Sequence, residues 1–197
     1  MDFIKNIFNF SKDYSTQTFE NAENKHLSVD EVFVQKFIQK KGRFLYCLDQ
    51  QEVFDNLRRI ALENNWNIFN SVDKSVLSDL KQTNFTVKNN FIPSLPILVS
   101  CEFLIAENGG ILLSSNQLKD HKIANLSDDF IVFARTSQIV RTKDASLRGI
   151  NTKYKDQLPS NISPIINFKE GIGKQNDFLH HGSSCAKNVY LLLLEDL

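Results

Sequence analysis

The centre of the chain contains two apolar runs, at residues 97–106 and 111–113, separated by Glu107-Asn108-Gly109-Gly110. Apolar runs that flank a turn signal of this kind predict two strands joined as a hairpin, because Asn-Gly favours the left-handed backbone of a tight turn. A carboxylate and two flexible residues would then lie where the chain reverses. The pattern predicts that the rest of the domain is arranged around this hairpin.

Helical and extended patterns alternate before the hairpin. Ser28 and Glu31 have the spacing of a capping box, which predicts a helix ending near Gly42. The elements that follow are predicted as a strand at residues 43–48, a helix beginning after Asp49, a strand at 66–69 and a short helix at 72–80. Alternation at this spacing is typical of a parallel sheet with helices packed on its faces.

The pattern after the hairpin extends the same sheet. Strands are predicted at residues 130–134, 138–140, 162–168 and 189–194, with a helix at 144–154. The last strand, VYLLLL, has no polar face and is therefore expected to be an inner strand. The predicted fold class is α/β, with three layers (helix, sheet, helix) and a mostly parallel sheet that includes an antiparallel hairpin.

The N-terminal residues form a separate region. Four bulky apolar residues between positions 3 and 8 have the spacing of one face of a short amphipathic helix, and residues 11–25 are polar without periodicity. We therefore predict a helix and polar linker at residues 1–25 and an α/β domain at residues 26–197. The helix has three possible docking sites: the domain, a partner or a membrane surface.

Composition and charge exclude several classes of protein. The 197 residues suit one domain, and 23 basic and 23 acidic side chains cancel, which argues against nucleic-acid binding. No run approaches the roughly 20 apolar residues of a membrane span. Cys47, Cys101 and Cys185 are far apart and form no Cys-x-x-Cys pair, so a cytoplasmic protein without disulfides, metal or cofactor is expected.

Glu107 is the leading catalytic candidate. A glutamate that ends an apolar strand beside Gly109 and Gly110, where a ligand can approach the backbone, can serve as a nucleophile or general base. Asn108 and the two glycines would then contact the ligand. The alternative is that Glu107 is a solvated hairpin residue and that Asn108-Gly109 forms a type I′ turn.

A second candidate site follows the strand predicted at residues 162–168. Gly171, Gly173, Lys174 and Asp177 could offer backbone amides and charge to a phosphate or carboxylate. The segment lacks the spacing of a Walker or dinucleotide-binding loop, and an ordinary surface loop is the alternative. His180 and His181 have no ligand-spaced partner, so no metal site is predicted.

The chain resembles the LUD-domain family, that of small lactate-utilisation proteins. The resemblance begins with Ile105-Ala106-Glu107-Asn108-Gly109-Gly110-Ile111-Leu112-Leu113, which is similar to a family pattern of Ile-Ala-Glu-Thr-Gly-Thr and an apolar strand. It continues through residues 130–132 and 138–140 to the apolar strand at 189–194. It covers the chain from about Ser28 onward and implies a fold of the sugar-isomerase/CoA-transferase superfamily.

Two family motifs are changed in this chain. Where the family has Gly-Pro-Ser-Arg/Lys-Thr-Ala-Asp-Ile-Glu, this chain has residues 167–177, and only Asp177 corresponds. Where the family has Gly-x-His-Gly-Pro, it has Gly182-Ser183-Ser184-Cys185-Ala186. The resemblance is therefore more informative about the fold than about activity.

The resemblance implies a cytoplasmic accessory protein that carries no redox group and is linked to L-lactate oxidation through iron–sulfur partner proteins. Three alternatives stay open. Glu107-Asn108-Gly109 is similar to the Ser-Glu-Asn-Gly loop of CoA transferases, which implies acyl transfer by Glu107. Gly171, Gly173, Lys174 and Asp177 are similar to the phosphate loop of formyltetrahydrofolate cyclo-ligase. The third alternative is a scaffold that has lost its ligand.

Overall fold

A six-stranded, all-parallel sheet forms the centre of the fold in the computed structural model, which describes residues 27–80, 83–169 and 186–196. Its strands are β1 (Arg43–Cys47), β2 (Ile68–Asn70), β3 (Thr86–Lys88), β4 (Ile97–Ser100), β7 (Asp129–Arg135) and β10 (Asn188–Leu194). They lie in the order β1-β10-β7-β4-β2-β3. β10 pairs with β1 and β7, and its residues are buried except for Leu194, which confirms the predicted inner strand.

The hairpin predicted at the centre of the chain belongs to a second sheet. Strands β5 (Phe103–Ile105), β6 (Gly110–Leu113), β8 (Ile139–Val140) and β9 (Ser163–Ile165) form this sheet in the order β8-β5-β6-β9. β5 and β6 are antiparallel, as the Asn-Gly turn predicts, and Ile105 lies opposite Gly110. The sequence pattern predicted a single sheet that includes the hairpin, and it did not predict this second sheet.

The prediction of one apolar strand at residues 97–106 is wrong. The run divides at Cys101 and Glu102, with β4 before them in the main sheet and β5 after them in the second sheet. Glu102 is buried, and a buried carboxylate needs hydrogen-bond donors that the apolar face of a strand does not supply. The chain therefore crosses between sheets at the residue that breaks the apolar pattern.

The helices cover the faces of these sheets. They are α1 (Val29–Gln39), α2 (Gln50–Asn64), α3 (Lys74–Asp79), α4 (Ser115–Leu118) and α5 (Lys143–Lys153), with 3₁₀ turns at Ile123–Asn125 and Thr136–Gln138. The predicted capping box at Ser28 and Glu31 is present, and Asp49 accepts the amide of Glu52 at the start of α2. α3 begins two residues later than predicted because Asp73 is its N-cap.

Two hydrophobic clusters lie on opposite faces of the main sheet. One face packs against α1 and the second sheet, through Phe33 and Phe37 of α1 and Leu104 and Ile111 of the hairpin. The other face packs against α2 and α3. On the outer side of the second sheet, Ile150 of α5 packs against Ile105 and Leu112. The predicted α/β class, with a mostly parallel sheet flanked by helices, is confirmed.

The N-terminal helix and linker predicted at residues 1–25 lie outside the described residues. Within the part of the chain that the structure describes, no helix has both the length and the apolar character needed to cross a membrane.

Candidate functional site

A cleft of about 580 Å³ opens at the carboxyl ends of β4, β7 and β10. In open α/β sheets, the carboxyl ends of parallel strands are where ligands bind, because loops that leave neighbouring strands diverge there. Ser100 and Cys101 follow β4 into the cleft, Ala134 and Arg135 end β7, and α2, α3, α4 and α5 contribute the surrounding walls. This cleft is the candidate site.

Asp73 and Ser100 form one side of its floor. Asp73 is 4% exposed, and its Oδ2 accepts hydrogen bonds from the backbone N (2.7 Å) and Oγ (2.6 Å) of Ser100. Its Oδ1 accepts the amide of Ser75 at 2.9 Å, at the start of α3. One carboxylate therefore fixes both the first turn of α3 and the end of β4, and its oxygens are already occupied.

Glu102 is the centre of a second network behind the cleft wall. Its Oε1 accepts hydrogen bonds from Ser114 Oγ (2.7 Å), Asn116 Nδ2 (2.9 Å) and Gln117 Nε2 (3.3 Å). Its Oε2 accepts from Tyr154 Oη at 2.9 Å and from Lys153 Nζ at 3.1 Å. Gln117 Nε2 also lies 3.4 Å from Ser100 Oγ, which links the two carboxylate networks.

The ionisation of this network follows from these contacts. Burial raises the pKa of Glu102, but hydrogen bonds from Ser114, Asn116 and Lys153 outweigh it and hold the pKa below its usual value. Burial lowers the pKa of Lys153, yet its contacts with Tyr154 and Glu102 raise it overall. Burial and the bond to Glu102 raise the pKa of Tyr154. Near neutral pH the arrangement is therefore carboxylate, ammonium and neutral phenol.

The charged side chains that reach the cleft are mostly cationic. They are Lys74, Lys119, Arg135 and Lys153, against Asp73 and Asp79. Lys74 and Lys119 are exposed, and neither ammonium group has a hydrogen bond or ion pair to another described residue. Asp73 and Asp79 offset two of these charges and Glu102 offsets that of Lys153, which leaves a small net positive charge at the cleft.

The predicted residues of the hairpin turn lie outside this cleft. Glu107 is exposed at the opposite end of β5 from Glu102, where its Oε2 accepts the amide of Lys143 at 3.1 Å and so caps α5. Asn108 Oδ1 accepts the amide of Gly110 at 2.8 Å. Gly109 has a φ of +64° and packs against the backbone of α1. These contacts give the turn a structural role, and catalysis by Glu107 stays a prediction.

The second predicted site, at Gly171, Gly173, Lys174 and Asp177, lies outside the described residues. Among residues 27–80, 83–169 and 186–196, no three side chains of His, Cys, Asp or Glu come together as a metal site would need. Cys101, which borders the cleft, is buried, and burial raises the pKa of its thiol. It packs as a small apolar residue.

Sequence reasoning missed the residues that organise the cleft. Glu102 was detectable, since a charged residue inside an apolar run is almost always paired. Asp73 lies at the start of the helix predicted at residues 72–80, where an aspartate is an ordinary cap and does not indicate a site. Lys153 and Tyr154 gave no signal, because residues at the end of an amphipathic helix have no pattern that identifies their partner. They reach Glu102 only through the packing of α5 on the second sheet.

Comparison with solved structures supports the fold. The chain is similar to the crystal structure of a DUF162 family protein from Deinococcus radiodurans, over 86% of this chain and 99% of that chain, with a TM-score of 0.59 and 14% sequence identity. The two chains share a fold. DUF162 is the LUD-domain family, so the fold that the sequence resemblance implied is the fold observed. No protein-family model and no curated protein matches the sequence.

Proposed function

We propose that this chain is a LUD-type accessory protein that binds a small carboxylate in the cleft and takes part in L-lactate oxidation with iron–sulfur partner proteins. The observation that carries the proposal is the cationic cleft at the carboxyl ends of β4, β7 and β10. The fold shared with a DUF162 family protein supports the link to this family.

Two features favour a carboxylate ligand. Lys119 and Lys74 present ammonium groups with no partner among the described residues, and Arg135 presents a guanidinium group suited to planar oxygen pairs. Asp73 and Asp79 also line the cleft and Glu102 is paired with Lys153, so four cationic groups meet three carboxylates among the described residues. The small positive excess favours a carboxylate over a cationic ligand.

The assignment of electron transfer to partners follows from the cysteines. Cys47, Cys101 and Cys185 are far apart in sequence and lack the close spacing of iron–sulfur ligands, which are supplied by Cys thiolates in compact motifs. In this proposal the partners oxidise lactate, and this chain binds the substrate, the product or a related carboxylate. The partner contact itself is a proposal that rests on the family resemblance.

Binding is tested by titrating the full chain with L-lactate, pyruvate and inorganic phosphate in a calorimeter. We expect saturable carboxylate binding that Lys119→Gln weakens about tenfold, the effect of losing one charge-assisted hydrogen bond. Lys155→Gln is the matched control, because Lys155 is exposed and does not line the cleft. Equal affinity in the two variants, or no binding of any carboxylate, would contradict the proposal.

The link to lactate is tested by gene disruption in the native organism. Growth on L-lactate as sole carbon source should fail, and growth on glucose should persist. Complementation by the Lys155→Gln gene should restore growth on L-lactate more fully than complementation by Lys119→Gln. Normal growth of the disrupted strain on L-lactate would contradict the role in lactate oxidation. Carboxylate binding would still be decided by the calorimetric test.

A further inference from the structure

The cleft has two chemically different walls. One wall lies on one face of the main sheet and carries most of the apolar side chains, next to polar residues of α2 and α3, Gln50, Lys74, Ser75 and Asp79. Its apolar members come from α2, α3, the loop before α3 and the ends of β7 and β10, and are Val53, Val72, Val76, Phe133, Leu192 and Leu194. Val53, Val76 and Leu192 belong to the hydrophobic cluster on that face, and Phe133 and Leu194 pack against the same cluster. Val53, Val76 and Leu192 are buried, so the apolar surface that this wall offers to a ligand comes mainly from the partly buried Val72, Phe133 and Leu194.

The opposite wall is polar. It is formed by α4, the end of α5 and the turn after β7, and its side chains include Asn116, Gln117, Gln138, Lys153 and Tyr154. Glu102 holds four of these in place directly through hydrogen bonds to Asn116, Gln117, Lys153 and Tyr154, and Gln138 Nε2 donates to the carbonyl of Cys101 at 2.6 Å. The polar wall is therefore fixed before a ligand arrives.

The cleft is larger than a small carboxylate such as lactate needs. A volume of about 580 Å³ is in the range that buries drug-sized molecules, and a molecule as small as lactate fills only a fraction of it. Lactate in contact with the cationic side chains would leave the apolar wall in contact with water. Covering that wall with an apolar group releases this water and increases affinity.

We infer that the preferred ligand is an amphipathic anion, with an anionic head group near Lys119 and Arg135 and an apolar body against Val72 and its neighbours. This inference rests on the proposed carboxylate binding and specifies which class of carboxylate binds best. L-lactate is then a weak ligand of the cleft, and a carboxylic acid with an alkyl chain or ring is a strong one. The head group is held by charge and the body by burial of apolar surface.

A homologous series of ligands tests the inference. Acetate, butyrate, hexanoate and octanoate are titrated into the full chain below their aggregation concentrations, with hexyl phosphate as a second head group. Affinity should rise about fourfold for each added methylene until the wall is covered, with one ligand bound per chain. Tighter binding of hexyl phosphate than of hexanoate would identify phosphate as the preferred head, and the reverse would identify carboxylate.

A pair of valine variants assigns the effect to the wall. Val72→Thr places a hydroxyl on the apolar wall and should weaken octanoate binding severalfold more than it weakens acetate binding. Val87→Thr is the control, because Val87 is also partly buried but lies on β3 outside the cleft. Equal weakening by both variants, or by neither, would overturn the assignment.

The outcomes separate this inference from the proposed function. If acetate and L-lactate bind in a Lys119-dependent way and octanoate binds no more tightly, the inference is wrong and the proposed function stands. If octanoate binds without saturation or with many molecules per chain, the inference is also wrong. If no anion binds at all, both fail together.

Discussion

Glu102 shows how one buried residue organises the site. Its side chain is inaccessible to solvent, and donors from Ser114, Asn116, Gln117, Lys153 and Tyr154 surround its two oxygens. A buried charge of this kind is stable only while its partners remain, since each donor replaces a lost contact with water. Glu102 is therefore a positioning residue that fixes Lys153 and Tyr154 at the cleft.

Substitution of Glu102 should destabilise the fold and change its response to acid. Glu102→Gln leaves Lys153 and Tyr154 without a carboxylate acceptor, so the free energy of unfolding should fall by about 2–4 kcal/mol at pH 7. Urea unfolding monitored by circular dichroism measures the change. Glu63→Gln, on an exposed position of α2, should have little effect.

The pH dependence has a definite sign. The pKa of Glu102 is lower in the folded chain than its usual value of 4.5, so the unfolded chain takes up the proton first. The stability that Glu102 supplies is complete above about pH 4.5 and is lost as the pH falls through the lower folded pKa. Between pH 6 and pH 4, Glu102→Gln should therefore lose less stability than the unsubstituted protein. An equal loss would contradict this role.

Glu107 can be tested separately from the cleft. If it transfers acyl groups, incubation with an acyl-CoA should give a covalent adduct on Glu107 that mass spectrometry detects and Glu107→Gln abolishes. If its role is the cap of α5 through the amide of Lys143, no adduct forms and the variant binds carboxylates as the unsubstituted protein does. The contacts of Glu107 in the turn favour the structural role, in which no adduct forms.

At the scale of elements, the β5–β6 hairpin is held against α1 by the close approach of two backbones. A Cβ added to Gly109 would lie 2.8 Å from the amide nitrogen of Phe37, and the φ of +64° is unfavourable for other residues. The Asn-Gly signal in the sequence predicted the hairpin correctly but not the turn type: residues 106–109 form the loop, and Gly109 has a positive φ but Asn108 does not, so the turn is not type I′. It could not show that α1 lies behind Gly109, because that contact joins residues far apart in the chain.

We expect Gly109→Ala to destabilise the protein by about 2 kcal/mol, from the strained φ and the contact with α1 together. Thermal unfolding measures this change. Asn65→Gly is a useful control, because Asn65 has a φ of 56° at the end of α2, where glycine should be tolerated. A melting temperature unchanged by Gly109→Ala would mean that the turn is not packed on α1 as described.

At the scale of the whole molecule, described elements cover both faces of the main sheet. The two faces of the main sheet are covered by α1 and the second sheet on one side and by α2 and α3 on the other. If the boundary predicted near residue 26 is correct, residues 1–25 are not needed for the fold. That boundary stays a prediction.

Deletion of residues 1–25 tests the boundary. The shortened chain should unfold in one cooperative transition, with a urea midpoint close to that of the full chain and with the same carboxylate affinity. Loss of cooperativity would show that these residues belong to the domain. Equal stability with a loss of carboxylate binding would assign them to the site.

The sequence by itself determined the class of fold and several local elements, whereas β3, α4 and the division of residues 97–106 were not predicted. The capping box at Ser28, the apolar stripe of α2, the Asn-Gly turn and the uniformly apolar β10 are each decided by residues near one another in the chain, so their periodicity was sufficient. Alternation of these elements then predicted a parallel sheet.

Only the tertiary structure decided where the site lies. Asp73 meets Ser100, and Glu102 meets Lys153 and Tyr154, across separations of 27, 51 and 52 residues, and no local pattern encodes such contacts. The sequence drew attention to Glu107, which lies in the turn after β5, whereas packing placed the cleft near the start of that strand, beside Glu102. The physical reason is that the site forms where the ends of several strands lie together. Which strand ends lie together depends on the order of the strands in the whole sheet.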